Sequence, residues 1–113
     1  MLTPTEAADL RWLLIWFGDC VDAPDPDAWH PDEPRKGGAE SQEAYETRKA
    51  AYEYVAADLC AECPVKTECL TLALDEEVDL PRSWIHGVRG GLAPWQRYQK
   101  LRTIRRHARQ EVA

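Results

Sequence analysis

Four cysteines are the residues of this sequence best suited to chemistry. They follow the pattern C-x39-C-x2-C-x5-C, so that two form a close pair and two stand apart: Cys20, Cys60, Cys63 and Cys69. Four thiolates suit either a [4Fe–4S] cluster or a single Zn²⁺ ion. Zinc ribbons and fingers usually contain two short pairs, whereas this chain has one. The pattern therefore favours the cluster and leaves Zn²⁺ as the alternative.

The close pair Cys60 and Cys63 also allows a third interpretation. A C-x2-C motif is typical of thiol–disulfide oxidoreductases, and on this reading the protein would be a disulfide reductase. Such a motif normally lies beside a βαβ unit, and the sequence contains no alternating strand pattern of useful length. We therefore expect a protein that is not an enzyme and that has no small-molecule substrate.

Charge is distributed unevenly along the 113 residues. Residues 1–81 contain 19 acidic and 6 basic side chains, whereas residues 82–113 contain 8 basic and 1 acidic side chain. A basic arm on an acidic body indicates contact with a polyanion such as DNA. Four arginines of the arm follow helical spacing and form one stripe, which we predict to bind DNA: Arg102, Arg105, Arg106 and Arg109.

No segment of the sequence is long and apolar enough to cross a bilayer, since the longest apolar run covers only residues 12–17. The basic start and longer apolar stretch of a secretory signal are also missing. We therefore expect a cytoplasmic protein without a membrane partner. In a reducing compartment, clustered cysteines serve metal or redox chemistry more often than structural disulfides.

Four helices are predicted to position these residues. Thr3-Pro4-Thr5-Glu6 has the pattern of a capping box, and Gly18 is predicted to end the first helix. A long helix is expected over about 41–59, just before Cys60. Prolines suit the first turn of a helix, so two further helices are predicted to start at Pro64 and Pro94.

Two other segments are predicted to be irregular. Residues 19–38 contain four prolines, and five acidic residues lie between Asp19 and Asp32, which indicates a solvated loop. Gly87-Val88-Arg89-Gly90-Gly91 is predicted to form a turn, because three glycines in five residues permit positive φ angles or a close backbone approach. The predicted fold class is all-α.

Two motifs resemble the WhiB-like family of iron–sulfur transcription regulators. The run Cys60-Ala61-Glu62-Cys63-Pro64-Val65-Lys66-Thr67-Glu68-Cys69-Leu70 is similar to the cysteine signature of that family, and the segment 87–91 is similar to its glycine-rich β-turn. Cys20, followed by Trp29-His30-Pro31, and the arginine-rich last helix also agree with the family pattern. The resemblance covers about residues 16–109.

The resemblance implies a small bundle of about four helices wrapped around a [4Fe–4S] cluster, with the glycine-rich β-turn before a basic C-terminal helix. All four cysteines would then bind the cluster, which reacts with nitric oxide or oxygen in this family. The chain would divide into a cluster-binding domain, residues 1–93, and a basic C-terminal helix or tail, residues 94–113. The implied partners are region 4 of the primary sigma factor, with RNA polymerase, and promoter DNA.

Candidates for the sigma-factor contact come from the same resemblance and from the value of exposed tryptophans as interface anchors. They are Trp29, Pro31, Trp84, Gly87, Gly90 and Gly91. The family turn usually has a partner-contacting Trp where this chain has Arg89. Trp84 lies three residues before Gly87 and is the candidate substitute for that side chain.

Overall fold

The computed structural model describes residues 1–112, and over these residues the chain is helical, with one isolated β-bridge and no β-strand. The helices, in chain order, are α1 (Pro4–Phe17), a 3₁₀ helix (Pro26–Trp29), α2 (Gln42–Cys60), α3 (Lys66–Glu77), a second 3₁₀ helix (Arg82–Trp84) and α4 (Pro94–Val112). The all-α prediction with four helices is confirmed. Ala113, the last residue of the predicted tail, lies outside the described residues.

Helix α1 begins with the capping box that its sequence predicts. The Thr3 hydroxyl oxygen accepts the Glu6 backbone N–H at 3.1 Å, and the Glu6 carboxylate accepts the Thr3 backbone N–H at 2.9 Å. Gly18 ends the helix, with its N–H bonded to the Leu14 carbonyl. The helix packs against α3, and Ala7 is its buried residue.

Helix α2 supplies one side of the core. The Ser41 hydroxyl oxygen caps its first turn by accepting the Ala44 backbone N–H at 3.1 Å. Its buried residues, Tyr52, Ala56 and Cys60, follow one another at intervals of four and therefore lie on a single face. They form one cluster with Val88 of the glycine turn and with Ala93, which follows the turn. The core thus joins the end of α2 directly to the segment around the turn.

Helix α3 begins at Lys66, two residues after the predicted start at Pro64. The reason lies at Val65, whose backbone, at φ −116° and ψ 28°, departs from helical values while its side chain is buried. Pro64 and Val65 therefore form a turn between Cys63 and the helix. Cys69 lies in the first turn of α3.

The predicted glycine turn is present. Arg89 and Leu92 pair through their backbones, with N···O distances of 3.3 and 3.1 Å, and Gly90 and Gly91 lie between them at φ +58° and +79°. Two consecutive positive φ angles suit a type I′ turn, which favours glycine at both positions. A Cβ atom on Gly90 would lie 2.5 Å from the Cβ of Leu70, so the turn packs directly against α3.

The buried side chain of Arg97 also stabilises the glycine turn. The guanidinium of Arg97 is completely buried and directs its N–H groups at the Glu77 carboxylate, at 2.8 and 3.2 Å. Its other N–H groups reach the carbonyl oxygens of His86, Gly87 and Leu92, at 2.8 to 2.9 Å. All five donors of the guanidinium are therefore satisfied, and one side chain fixes α3, α4 and both ends of the turn.

Helix α4 has a buried start and an exposed end. Leu101 is fully buried, whereas the apolar residues Ile104 and Ala108 farther along the helix are exposed. After Arg105, the described side chains of α4 are all exposed. Within residues 1–112, no helix has both the length and the apolar character needed to cross a membrane.

Candidate functional site

The four cysteines line one narrow cavity. Cys20 lies in the turn after α1, Cys60 is the last residue of α2, Cys63 lies in the connection to α3, and Cys69 belongs to α3. Cys60 is buried, Cys20 is exposed at the rim, and the other two are partly buried. Four separate segments of the chain therefore each contribute one thiol to the wall of this cavity.

All four thiols belong to the lining of this cavity. In residues 1–112, no three His, Cys, Asp or Glu side chains are close enough to hold a single metal ion together. All four cysteines are free thiols. This donor set, spread around one cavity, fits a group that takes one thiolate at each of four corners, as a [4Fe–4S] cluster does.

Cys60 has the most elaborate surroundings of the four. Burial raises the pKa of its thiol, while hydrogen bonds from the Gly91 backbone N–H and the Trp29 indole N–H to its sulfur act in the opposite direction. Burial, with the Cys69 thiol nearby, also raises the pKa of Cys20. Metal binding at these positions therefore involves loss of protons from sulfur.

The first 3₁₀ helix is tied to the glycine turn beside the cavity. The Trp29 carbonyl oxygen accepts the Val88 N–H at 2.7 Å, and the Trp29 ring packs against the core cluster. Gly87 has φ +73°, and a Cβ atom there would lie 2.8 Å from the Cδ2 atom of His30. The loop before α2 and the turn before α4 thus form neighbouring walls of the site.

Glu33 fastens the same loop to the segment before the turn, and sequence analysis did not single it out. Its carboxylate accepts a hydrogen bond from Arg82 at 3.0 Å and lies 2.7 Å from Nδ1 of His86. Burial alone would raise the pKa of Glu33, but the His86 and Arg82 hydrogen bonds lower it overall. Nothing local in the sequence could have indicated these pairs, because the partners are about fifty residues apart.

The predicted partner-binding residues have different environments. Trp84 is 69% exposed, whereas Trp29 and Pro31 are partly buried. The three glycines of that set are buried: Gly87, Gly90 and Gly91. A Cβ atom on Gly87 or Gly90 would collide with His30 or Leu70, so both positions require glycine for internal packing, and the partner contact of these glycines stays a prediction.

Helix α1 exposes an apolar face beside the site. Leu14 lines the cysteine cavity, while five other apolar side chains of the helix are exposed: Trp12, Leu13, Ile15, Trp16 and Phe17. The Trp12 and Trp16 rings stack edge to face, with centroids 5.6 Å apart. A concentration of exposed large apolar side chains on one helix is typical of an interaction site.

The predicted arginine stripe is divided by the structure. Arg102, Arg106 and Arg109 are exposed. Arg105 instead turns inward, where its Nε donates to the Val78 carbonyl oxygen at 2.7 Å and its Nη2 donates to the carbonyl oxygens of Val78 and Leu80. Three of the four arginines are therefore open to a ligand, and the fourth anchors α4 to the end of α3.

Comparison with known proteins gives one match. The family model for the transcription factor WhiB matches residues 18–100, a range that includes all four cysteines and the glycine turn and ends before the arginine stripe. Searches of the curated proteins and of the solved structures found no match. Because the family match covers more than half of the chain, the protein belongs to the WhiB family of transcription factors.

Proposed function

We propose that this protein is a cytoplasmic transcription regulator that holds a [4Fe–4S] cluster, associates with region 4 of the primary sigma factor and contacts promoter DNA. The observation that carries the proposal is the placement of four free thiols around one cavity in a member of a transcription factor family. In this proposal residues 1–93 bind the cluster, and residues 94–113 form the basic arm.

The thiolates of Cys20, Cys60, Cys63 and Cys69 would hold the cluster. When bound, it would supply a redox-active centre that is sensitive to oxygen or nitric oxide. The surrounding residues have two tasks. Trp29 and Gly91 donate N–H groups to the Cys60 sulfur, which stabilises negative charge there. Leu14 and Val88 form apolar parts of the wall and limit the access of water.

Two exposed features support a protein partner. They are the apolar face of α1, which lies in the acidic part of the chain, and Trp84, which lies at the start of the basic part. An apolar contact with acidic surroundings suits a partner whose own surface is basic. Loss of sigma-factor binding is expected for Trp84→Ala and Trp16→Ala in a pull-down assay. Tyr54→Ala is the matched control, because Tyr54 is an aromatic residue of α2 that is 75% exposed.

Metal analysis of anaerobically purified protein tests the proposal most directly. We expect a brown protein with about four iron atoms and about four sulfides per chain. A colourless protein with one zinc ion would overturn the cluster and support the zinc-binding interaction module. Cys20→Ser is expected to lose the iron, whereas Ala61→Ser, an exposed position between Cys60 and Cys63, is expected to retain it.

Cys20→Ser also distinguishes the proposed regulator from a disulfide reductase. A disulfide reductase that uses Cys60 and Cys63 would show turnover that survives Cys20→Ser. The cluster proposal predicts no such turnover and loss of the cofactor in that variant.

A further inference from the structure

Arg89 is a cation in the wall of the cysteine cavity. It lies in the glycine turn just before Gly90, and it lines the cavity with the cysteines while its side chain is only 29% exposed. The turn cannot easily move away from α3, because Gly90 lies against the backbone of Leu70. The backbone therefore holds Arg89 close to the helix that carries Cys69.

The guanidinium of Arg89 also has acidic neighbours on α3. Its Nη2 donates to the Glu76 carboxylate at 2.8 Å, and its Nη1 lies 3.6 Å from the Glu77 carboxylate. Glu77 is already bound to the buried Arg97 through both oxygens, so Glu76 is the main counter-ion of Arg89. Burial opposes the charge of Arg89, but Glu76, Glu77 and the neighbouring Cys69 raise its pKa overall, and the side chain stays cationic.

Two other charged residues border the cavity, and both are exposed. They are Lys66 and Asp19, one of each sign, at positions where water and salt screen them. Arg89 is less exposed, and its field inside the cavity is accordingly less screened. It is the charge most able to act on a group held by the four thiols.

We propose that Arg89 sets the reduction potential of the cluster, with Glu76 moderating its effect. This inference rests on the proposed function. A [4Fe–4S] core with four thiolates has a net charge of −2, and uptake of one electron from a donor makes it −3. A nearby fixed cation favours the more negative state and raises the potential, and a nearby anion lowers it.

The test is the midpoint potential of the purified, cluster-loaded protein, measured by titration with dithionite and an oxidant while absorption is recorded. Arg89→Gln is expected to shift the potential downward, and Glu76→Gln is expected to shift it upward. Arg48→Gln is the matched control: it removes the same charge from an exposed site on α2 and is expected to leave the potential unchanged.

Opposite shifts for two neighbouring residues cannot result from simple loosening of the site, which would move both variants in one direction. Glu76 is 38% exposed, so Glu76→Gln keeps the test available if Arg89→Gln folds poorly. Iron content per chain, measured for each variant, reports folding. Potentials that do not move, or that move in the same direction, would overturn the role of Arg89 alone. Wild-type protein that binds no iron would instead overturn the proposed function.

Discussion

The arginines of α4 form two groups that share a helix and differ in environment. Arg97 and Arg105 turn toward the body of the protein and donate to carboxylate and carbonyl oxygens of the segment 77–92. Arg102, Arg106 and Arg109 are exposed. The difference shows that one basic helix can have two roles. Arginines that face oxygen acceptors of the protein attach the helix to it, and the remaining arginines form an exposed cationic surface.

The first group has a clear structural reason. Val78 and Leu80 follow the end of α3, where carbonyl oxygens have no partner within the helix. A guanidinium carries five donors in a rigid fork and can satisfy several such oxygens at once. Arg97 and Arg105 therefore dock α4 onto the chain between α3 and the glycine turn.

The largest effect on stability is expected for Arg97, which is fully buried. Arg97→Met leaves Glu77 with a buried, poorly compensated charge. It also leaves the carbonyl oxygens of His86 and Gly87 without a donor, so we expect a loss of about 3–5 kcal/mol in unfolding free energy. Urea unfolding followed by circular dichroism measures it. Arg102→Met is the matched control on the exposed face, and equal losses in both variants would contradict the division into two groups.

A smaller effect is expected at Arg105, which is partly exposed and whose hydrogen bonds go to carbonyl oxygens. Arg105→Ala should lower the unfolding free energy by about 1.5–3 kcal/mol, the usual value of hydrogen bonds to a charged group. Hydrogen exchange of the α4 amides should rise as the helix loses its anchor. Arg106→Ala is the control, and an Arg105→Ala protein as stable as this control would show that the anchor is unimportant.

The smallest effect on stability is expected for the exposed group. The triple variant Arg102→Ala, Arg106→Ala, Arg109→Ala should change the unfolding free energy by less than about 0.5 kcal/mol per site. If the proposed DNA contact is correct, its affinity for promoter DNA should fall, and the slope of log K against log salt should flatten by about 0.9 for each lost phosphate contact. Arg48→Ala is the control on α2, and unchanged affinity and slope would place the DNA contact elsewhere.

Several local features could be predicted from the sequence. The capping box at Thr3, the end of α1 at Gly18 and the positive φ angles at Gly90 and Gly91 are all present. The start of α3 was misplaced by two residues, because burial of Val65 outweighed the preference of Pro64 for a first helical turn. The assignment of the four cysteines to a metal site rested on their pattern and stays a prediction of function.

The remaining features belong to the tertiary structure. Capping boxes and glycine turns involve groups three or four residues apart, and their physics can be read from a short stretch of sequence. Arg97 binds Glu77, which is twenty residues away in the sequence, and Arg82 binds Glu33, which is forty-nine residues away. Because the partners are so far apart in the sequence, no local pattern could distinguish these arginines from the exposed ones. The helices, the turn and the set of thiols could be predicted from short stretches of the sequence. Only the packing of α3, α4 and the loop before α2 decided which charges are buried, and it placed Arg89 in the wall of the cysteine cavity.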